Sequence, residues 1–348
     1  MQGFPGADIL KRVLPILLVL LALASVTGWA LWPRGPQGLV LYSAVDYGQE
    51  VAKAFTRATG IPATVVDLST GALLARVSAE GNRPGWTLAW FDGNEAAAGL
   101  DRAHLAAQHT VPDLPWTPLG RKLVPADGSY TPTGLTLAGA FTYRPSVLQN
   151  PPRTWADLEN PALHGAIGMN NPAISGPMFP MLAGMLSQAG GWPAGKSFVL
   201  GLKANGLHVY AKNANTLAAL KAGDIKLAIT QSSAAWNMAA RDPSLRVVIP
   251  KPAFALPSVI VVAAGVPDQV RREAERFIRF AMAPATQRVR MANSEGDSLY
   301  WPLTSDAPAP NKLLPSLDGV DVQVLPAGLW GALEAQVNSW FSRAVAGQ

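Results

Sequence analysis

Short apolar runs alternate with helical patterns along the chain from Gly38 onward. In the first part of the chain, the runs that predict buried strands are residues 39–42, 62–66 and 87–91. Each run is followed by a helix-like segment; after the turn at residues 43–47, Val51, Ala54, Phe55 and Ala58 recur at helical spacing before Gly60. This alternation is typical of strand–helix–strand units. The pattern therefore predicts an α/β fold with a largely parallel sheet.

A second α/β unit is predicted after an irregular, Pro- and Trp-rich connection at residues 109–133. Its predicted strands are residues 134–143, 165–169, 207–210 and 225–230, with further strands at 245–250 and 258–264. Its predicted helices are residues 153–163, 177–189, 194–204 and one capped by Asn215 and Thr216. Pro267 opens a strongly amphipathic helix, with apolar residues on one side and arginines on the other, and residues 329–345 form a terminal helix.

Residues 165–178 have the strongest local signal for a ligand. A short apolar run ends at Met169, a polar turn follows, and Ser175 and Pro177 predict an N-cap and a first helical turn. The first backbone N–H groups of a helix have no internal partner, and the helix dipole leaves partial positive charge there. The sequence therefore predicts a place for a phosphate, phosphonate, carboxylate or sulfate.

The amino-terminal region predicts export. Lys11 and Arg12 precede a run of 20 uncharged residues, 13–32. Residues 22–24 resemble a small-residue cleavage site, which favours a signal peptide, whereas the length of the run and its two Trp residues suit a membrane anchor. Both fates stay open for residues 1–35, and both place the remainder outside the cytoplasm.

Composition excludes several classes of function. The chain has 348 residues, is 49% hydrophobic and carries a net charge of +5, with no basic run that gathers this excess. Nucleic-acid binding therefore has little support. The chain has no Cys, which excludes disulfides, thiolate metal sites and thiol nucleophiles.

Catalytic and metal-binding motifs are not recognisable. The four histidines, His104, His109, His164 and His208, form no HxH or HExxH pattern. The sequence has no Gly-x-Ser-x-Gly elbow, Walker loop or dinucleotide fingerprint. We therefore expect a protein that is not an enzyme and has no cofactor or resident metal.

Polar turns recur at the carboxyl ends of the predicted strands. They are residues 43–47, 69–71, 92–93, 171–176 and 231–233. In open α/β sheets, ligands bind outside those strand ends, near helix N-termini. Five turns of this type on two α/β units predict one site that the two units share.

The chain resembles the periplasmic solute-binding proteins of ABC importers, and more narrowly the cluster that contains ferric-iron and 2-aminoethylphosphonate binders. The resemblance runs from about residue 38 to 303. It rests on the order and spacing of these phrases: Leu41-Tyr42-Ser43-Ala44, Thr59-Gly60-Ile61, Leu73-Leu74-Ala75-Arg76-Val77 with Ala79-Glu80-Gly81, Thr154-Trp155-Ala156-Asp157-Leu158, Asn171-Pro172 with Ser175-Gly176, and Phe277-Ile278-Arg279-Phe280 with Gln287.

The resemblance implies a type II periplasmic-binding-protein fold with two lobes that close on a solute. Lobe one would comprise residues 36–133 plus about 251–266, and lobe two residues 134–250, with C-terminal helices from 267–348 packing mainly on lobe two. It also implies a periplasmic monomer that delivers its solute to an importer permease, held at the inner membrane by the N-terminal helix if that helix is not cleaved.

One departure from the family pattern bears on the ligand. Iron binders of this cluster carry a tyrosine pair after the strand that corresponds to residues 225–230, whereas this chain has Gln231, Ser232 and Ser233 there. Hydroxyls and helix N-termini favour a small anionic or zwitterionic solute, and together with the resemblance they favour an organophosphonate such as 2-aminoethylphosphonate. If the solute carries an amine, Asp46 or Asp92 is expected to pair with it, and Trp236, Tyr47 or Tyr143 to pack against it.

Two alternatives remain, a ferric-iron binder and a membrane-anchored ligand sensor; a hydrolase or transferase on a similar scaffold is the rival from another class. The candidate ligand-binding residues are Ser43, Asp46, Tyr47, Ser69, Thr70, Asp92, Tyr143, Asn171, Ser175, Gly176, Ser232, Ser233 and Trp236.

Overall fold

The computed structural model describes residues 38–292 and 296–347. The predicted N-terminal segment, with its two alternative fates, lies outside these residues. Within the described ranges, no helix combines the length and the apolar character needed to cross a bilayer.

The elements follow the predicted alternation of strands and helices. The strands are β1 (Leu39–Ser43), β2 (Ala63–Asp67), β3 (Leu88–Asp92), β4 (Thr131–Leu137), β5 (Ala140–Tyr143), β6 (Ile167–Asn170), β7 (His208–Tyr210), β8 (Leu227–Thr230), β9 (Arg246–Val248), β10 (Ala253–Val262) and β11 (Val322–Gln323). The α-helices are α1 (Gly48–Thr59), α2 (Thr70–Glu80), α3 (Asn94–Arg102), α4 (Pro118–Leu123), α5 (Met178–Gln188), α6 (Lys196–Ala204), α7 (Asn213–Ala222), α8 (Ser232–Arg241), α9 (Asp268–Met282), α10 (Pro284–Ala292) and α11 (Ala327–Phe341).

The strands form two mixed sheets. The first sheet has the order β11-β10-β3-β1-β2, with β4 paired to β10; β1 runs parallel to β2 and β3, whereas β10 runs antiparallel to β3 and β4. The second sheet has the order β7-β6-β8-β5-β9, with β6 parallel to β7 and β8. Helices flank both sheets, and the predicted α/β class is confirmed.

Two short connections carry the chain between the sheets. The first joins β4 to β5 through Ala138 and Gly139, and the second joins β9 to β10. The sequence predicted one strand over residues 134–143, and that prediction was wrong. Nearly every residue of β4 and β5 is buried, so the apolar pattern continues through the point where the chain changes sheets.

Helix α9 has the predicted amphipathic character. Its residues Val270, Ala274, Phe277, Ile278 and Ala281 are buried, and the ring of Phe277 meets that of Phe55 in α1 edge to face, with centroids 5.1 Å apart. We expected the C-terminal helices mainly on lobe two, but α9 packs with α1 on the first sheet. The reason is connectivity: β10 ends in the first sheet and a connection of a few residues leads straight into α9.

Helix α11 contacts both halves of the molecule. Its residues Trp330, Val337 and Phe341 join the core of the second sheet. The same helix packs along α3, which follows β3 of the first sheet. Helix α11 therefore bridges the elements of the two sheets.

Three local predictions were wrong at helix starts. Helix α5 begins at Met178 with Pro177 at its N-cap position and no side-chain cap, so Ser175 does not cap it. Thr216 lies inside α7, whose N-cap position is Lys212. Residues 153–163 form two short 3-10 turns instead of one helix. In each case neighbouring residues offer competing caps or turns, and tertiary contacts decide between them.

Candidate functional site

A cavity of about 400 Å³ lies where the strand-end turns of the two sheets face each other. Turns after β1, β2 and β3 form one wall, and turns after β6, β7 and β8 form the other. The loop after α10 closes one side with Gly296 and Asp297. Seven of the sequence-predicted site residues line this cavity: Asp46, Ser69, Thr70, Asp92, Ser175, Gly176 and Ser233.

Four other predicted residues lie near the site but are occupied by structural contacts. Ser43 Oγ bonds to Val45 of its own turn, and Asn171 Oδ1 accepts the backbone N–H of Ala173 at 3.0 Å. Ser232 Oγ accepts the backbone N–H of Leu137 at 2.9 Å. Tyr47 is buried beside Trp90, and its hydroxyl oxygen accepts a hydrogen bond from Arg290 Nη2 at 3.1 Å. These residues support the turns without lining the cavity.

The predicted aromatic contacts to an ammonium group are not present at the cavity. Trp236 meets Trp301 edge to face, with ring centroids 6.2 Å apart, and Tyr143 packs on the core of the second sheet. Neither residue, nor Tyr47, is among the lining residues. The sequence shows that these side chains are large and apolar but does not show which neighbour covers them.

Asp46 and Asp297, which both line the cavity, form a reciprocal hydrogen-bonded pair. The backbone N–H of Asp46 donates to Asp297 Oδ2 at 3.1 Å, and the backbone N–H of Asp297 donates to Asp46 Oδ2 at 3.4 Å. Gly296 has a φ of +50°, and a side chain on it would collide with the Asp46 carboxylate. A glycine is therefore needed for the two backbones to approach this closely.

Asp92 is the deepest carboxylate of the site. Its Oδ2 accepts a hydrogen bond from Gln231 Nε2 at 2.9 Å, and its Oδ1 accepts the hydroxyl of Ser258. Burial, reinforced by the charge of Asp46 and opposed by these two hydrogen bonds, raises the pKa of Asp92. Burial together with the charges of Asp92 and Asp46 raises the pKa of Asp297 well above its ordinary value.

Positive potential comes from the opposite wall. Lys212 stands at the N-cap position of α7, and Asn213 and Ala214 of its first turn line the cavity with it. Ser233 and Ala234 present the first turn of α8 on the same wall, and Ser69 and Thr70 present that of α2 from the wall of the first sheet. The first N–H groups of a helix lack intrahelical acceptors, so three helix starts direct partial positive charge at one space.

Asn170 holds the second wall together. Its Nδ2 donates to Ser175 Oγ at 3.2 Å and to Asn213 Oδ1 at 2.6 Å, and its Oδ1 accepts the hydroxyl of Thr216 at 2.5 Å. These bonds join the end of β6 to the turn before α5 and to the start of α7. Asn170 therefore orients two of the lining residues.

Sequence reasoning missed several lining residues, notably Asp297, Lys212 and Asn213, and it placed Gln231 in a polar turn without naming it as a candidate. Lys212 had a usable signal, because it precedes a helix at the end of a predicted strand. Asp297 had none, since it lies in a loop between helices and reaches the site only through the packing of α9 and α10.

Two α/β sheets joined by two short crossings, with a polar cavity at their facing strand ends, have the fold of a type II periplasmic binding protein. The family comparison agrees. The chain belongs to the family of bacterial extracellular solute-binding proteins, whose model matches residues 50–315.

One named relative gives a partial match. The phosphoglycerate transport regulatory protein PgtC of Salmonella typhimurium is 25% identical over 158 residues, which make up 45% of this chain and 39% of that protein. The chain thus matches less than half the length of PgtC.

Solved structures match over most of the chain. The periplasmic binding protein P5PA has a TM-score of 0.76 at 16% identity and covers 89% of this chain and 100% of its own. AfuA from Actinobacillus pleuropneumoniae with fructose-6-phosphate bound has a TM-score of 0.76 at 16% identity, covering 89% and 98%. Iron-bound HitA from Pseudomonas aeruginosa has a TM-score of 0.73 at 20% identity, covering 87% and 99%. At these identities the likeness establishes the fold alone.

Proposed function

We propose that this protein is the solute-binding component of an ABC importer and that it captures a small zwitterionic solute, with 2-aminoethylphosphonate as the favoured example. The observation that carries the proposal is one cavity with two kinds of wall. Asp46, Asp92 and Asp297 line one side, whereas Lys212 and the starts of α7 and α8 line the other. An ammonium group suits the first wall and an oxyanion the second.

The aspartates favour a zwitterion over a solute that is only anionic. Burial, together with the neighbouring carboxylates, raises the pKa values of Asp92 and Asp297, so negative charge on this wall is unfavourable. A cation placed among these carboxylates relieves that repulsion, while a dianion without an amine increases it. The amine therefore supplies binding energy that a plain phosphonate or phosphate ester lacks.

Two related proteins are consistent with an oxyanion on the opposite wall. The name of PgtC refers to phosphoglycerate, and AfuA binds fructose-6-phosphate. Both compounds carry a phosphoryl group, which is chemically close to a phosphonate. For this chain we propose the shared oxyanion chemistry and not either compound.

Iron binding is less well supported. The likeness to iron-bound HitA shows the fold alone. Tyr47, the one tyrosine that the sequence offered as a ligand, accepts a hydrogen bond from Arg290 and lies outside the cavity lining. A membrane-anchored sensor stays an alternative, and a mature protein that begins at Met1 instead of near Ser25 would favour it.

Isothermal titration with three probes tests the proposal. We expect 2-aminoethylphosphonate to bind at least about tenfold more tightly than ethylphosphonate or ethanolamine, because each of those lacks one charged group. Lys212→Gln should weaken the binding of 2-aminoethylphosphonate, whereas Lys221→Gln, an exposed position later in α7, should not. Equal affinity for ethylphosphonate would refute the amine requirement, and binding of ferric iron alone would favour the alternative.

A further inference from the structure

Glu95, in the first turn of α3, is a buried carboxyl group outside the solute cavity. The residue is 1% exposed, and neither carboxylate oxygen accepts a hydrogen bond from another described residue. An ionised carboxylate in such a place is strongly unfavourable, since nothing replaces its lost hydration. The group therefore resides there in its protonated form.

The surroundings of Glu95 come from both halves of the molecule. The backbone of α11 lies against the backbone carbonyl oxygen of Glu95, so closely that a side chain on Gly331 would collide with that oxygen. One carboxylate oxygen lies near Gly93, where Pro180 of α5 also approaches. Helix α11 is in turn fixed in the core of the second sheet by Trp330, Val337 and Phe341. Glu95 is thus sealed where α3 of the first sheet meets elements of the second.

Few ionisable groups face Glu95 from the elements around it. On α11 the facing group is Glu334, and in the loop before β4 it is Tyr130, whose pKa burial raises to about 12. Helix α5 has no ionisable side chain between Met178 and Gln188. Burial and the charge of Glu334, opposed by its own backbone N–H, raise the pKa of Glu95 to about 8. Burial raises the pKa of Glu334 to about 7.

We propose that the α3–α11 contact is a proton-dependent latch between the two halves of the molecule, closed while Glu95 is protonated. Loss of the proton places an unpaired charge in the contact and favours separation of α11 from α3. If the proposed function holds, the latch makes the closed, solute-holding form weaker as pH rises. The latch itself does not depend on the identity of the solute.

The pH window follows from the raised pKa of Glu95. Below about pH 4 both the closed and the opened contact carry the proton, so the latch has its full strength. Between about pH 4.3 and 8 only the opened form ionises, and the opening constant rises about tenfold per pH unit. Above that range both forms are ionised and opening no longer depends on this group.

Hydrogen exchange on the full chain without solute tests the latch directly. After correction for the intrinsic exchange rate, amide protection in α3 and α11 should fall about tenfold per pH unit between about pH 5 and 7.5. In Glu95→Gln, a neutral side chain of the same shape, this dependence should shrink to the part that Glu334, whose pKa is also raised, contributes. Protection in α1, whose buried residues join a core cluster that contains no residue of α3 or α11, serves as the internal control.

A second measurement keeps the proposal falsifiable if Glu95→Gln does not fold. Carbon-13 NMR of the wild-type carboxyl carbons should show Glu95 titrating near pH 8, and at a lower pH in Glu334→Gln because the neighbouring charge is removed. Titration of Glu95 near its ordinary value of about 4.3 would overturn the latch. Protection that does not change with pH, or that changes equally in Glu95→Gln, would overturn it too. None of these outcomes bears on which solute the cavity binds.

Discussion

Asp297 is central to the amine contact that we propose. It reaches the site from a loop late in the chain and exchanges backbone hydrogen bonds with Asp46. Burial and two like charges raise its pKa well above the ordinary value, and a cation beside it would offset both effects. A single substitution can remove this charge while keeping the shape of the side chain.

We expect Asp297→Asn to weaken binding of 2-aminoethylphosphonate by about ten- to a hundredfold, the cost of losing one charge-assisted hydrogen bond. Binding of ethylphosphonate should be unchanged or stronger, because the variant removes repulsion without removing an attraction. Titration calorimetry of both ligands measures this difference. Asp306→Asn, an exposed position outside the cavity, is the matched control. Equal weakening of both ligands would show that Asp297 acts on the fold and not on the amine.

Among the elements, helices α3 and α11 pack with their backbones in close contact. Gly331 faces the carbonyl oxygen of Glu95 and the backbone of Gly99, so the two helix backbones touch where a larger residue would separate them. Gly328, one turn earlier in the same helix, has open space around its α-carbon. The two glycines of α11 therefore allow a comparison within one element.

Gly331→Ala should lower the free energy of unfolding by about 1–3 kcal/mol, because the added methyl group forces the helices apart. Gly328→Ala should not destabilise the protein and can raise its stability slightly, since Ala is the better helix former. Urea unfolding of the two variants beside wild type gives both values. If Gly331→Ala is as stable as Gly328→Ala, the contact is looser than the structure shows.

At the scale of the whole molecule, one buried polar network links the two sheets. Gln231, at the start of α8, donates from Nε2 to Asp92 at 2.9 Å and to Thr136 Oγ1 at 3.1 Å. Thr136 lies on β4 and Ser258, which donates to Asp92, on β10. Strands β4 and β10 lead into the connections between the sheets. The side chains that hold Asp92 and Gln231 at the cavity therefore lie on the strands that join the two halves. Asp92 therefore lies in the network that joins the two halves.

A solute that contacts both walls should favour a closed arrangement of the two halves. We expect small-angle X-ray scattering to show a smaller radius of gyration when saturating 2-aminoethylphosphonate is added. Ethanolamine, which lacks the oxyanion, should leave the radius nearer its ligand-free value. The sample would first be shown by calorimetry to bind 2-aminoethylphosphonate. If its radius of gyration is then unchanged, the cavity accepts its solute without closure.

Much of the fold could be predicted because it follows from short-range patterns. Periodicity measures which residues of a single element are buried. It therefore predicted the apolar runs of β1, β3 and β8 and the apolar face of α9. The polar turns after strands also have a local signal, and seven of the predicted residues line one cavity. Two of the predictions that failed did so because nearby residues allow more than one local structure. Residues 134–143 divide between two strands instead of forming one, and Pro177 instead of Ser175 takes the N-cap position of α5.

The sequence by itself determined the α/β class, the order of elements and the polar character of the strand-end turns. Only the tertiary structure decided that Asp297 joins Asp46 and Asp92, that Ser232 and Tyr47 turn away from the cavity, and that Glu95 is sealed beneath α11. The physical reason is the distance along the chain over which each feature is determined. Periodicity records which side of one helix or strand is buried. A cavity wall and a buried charge depend on which distant segments pack together.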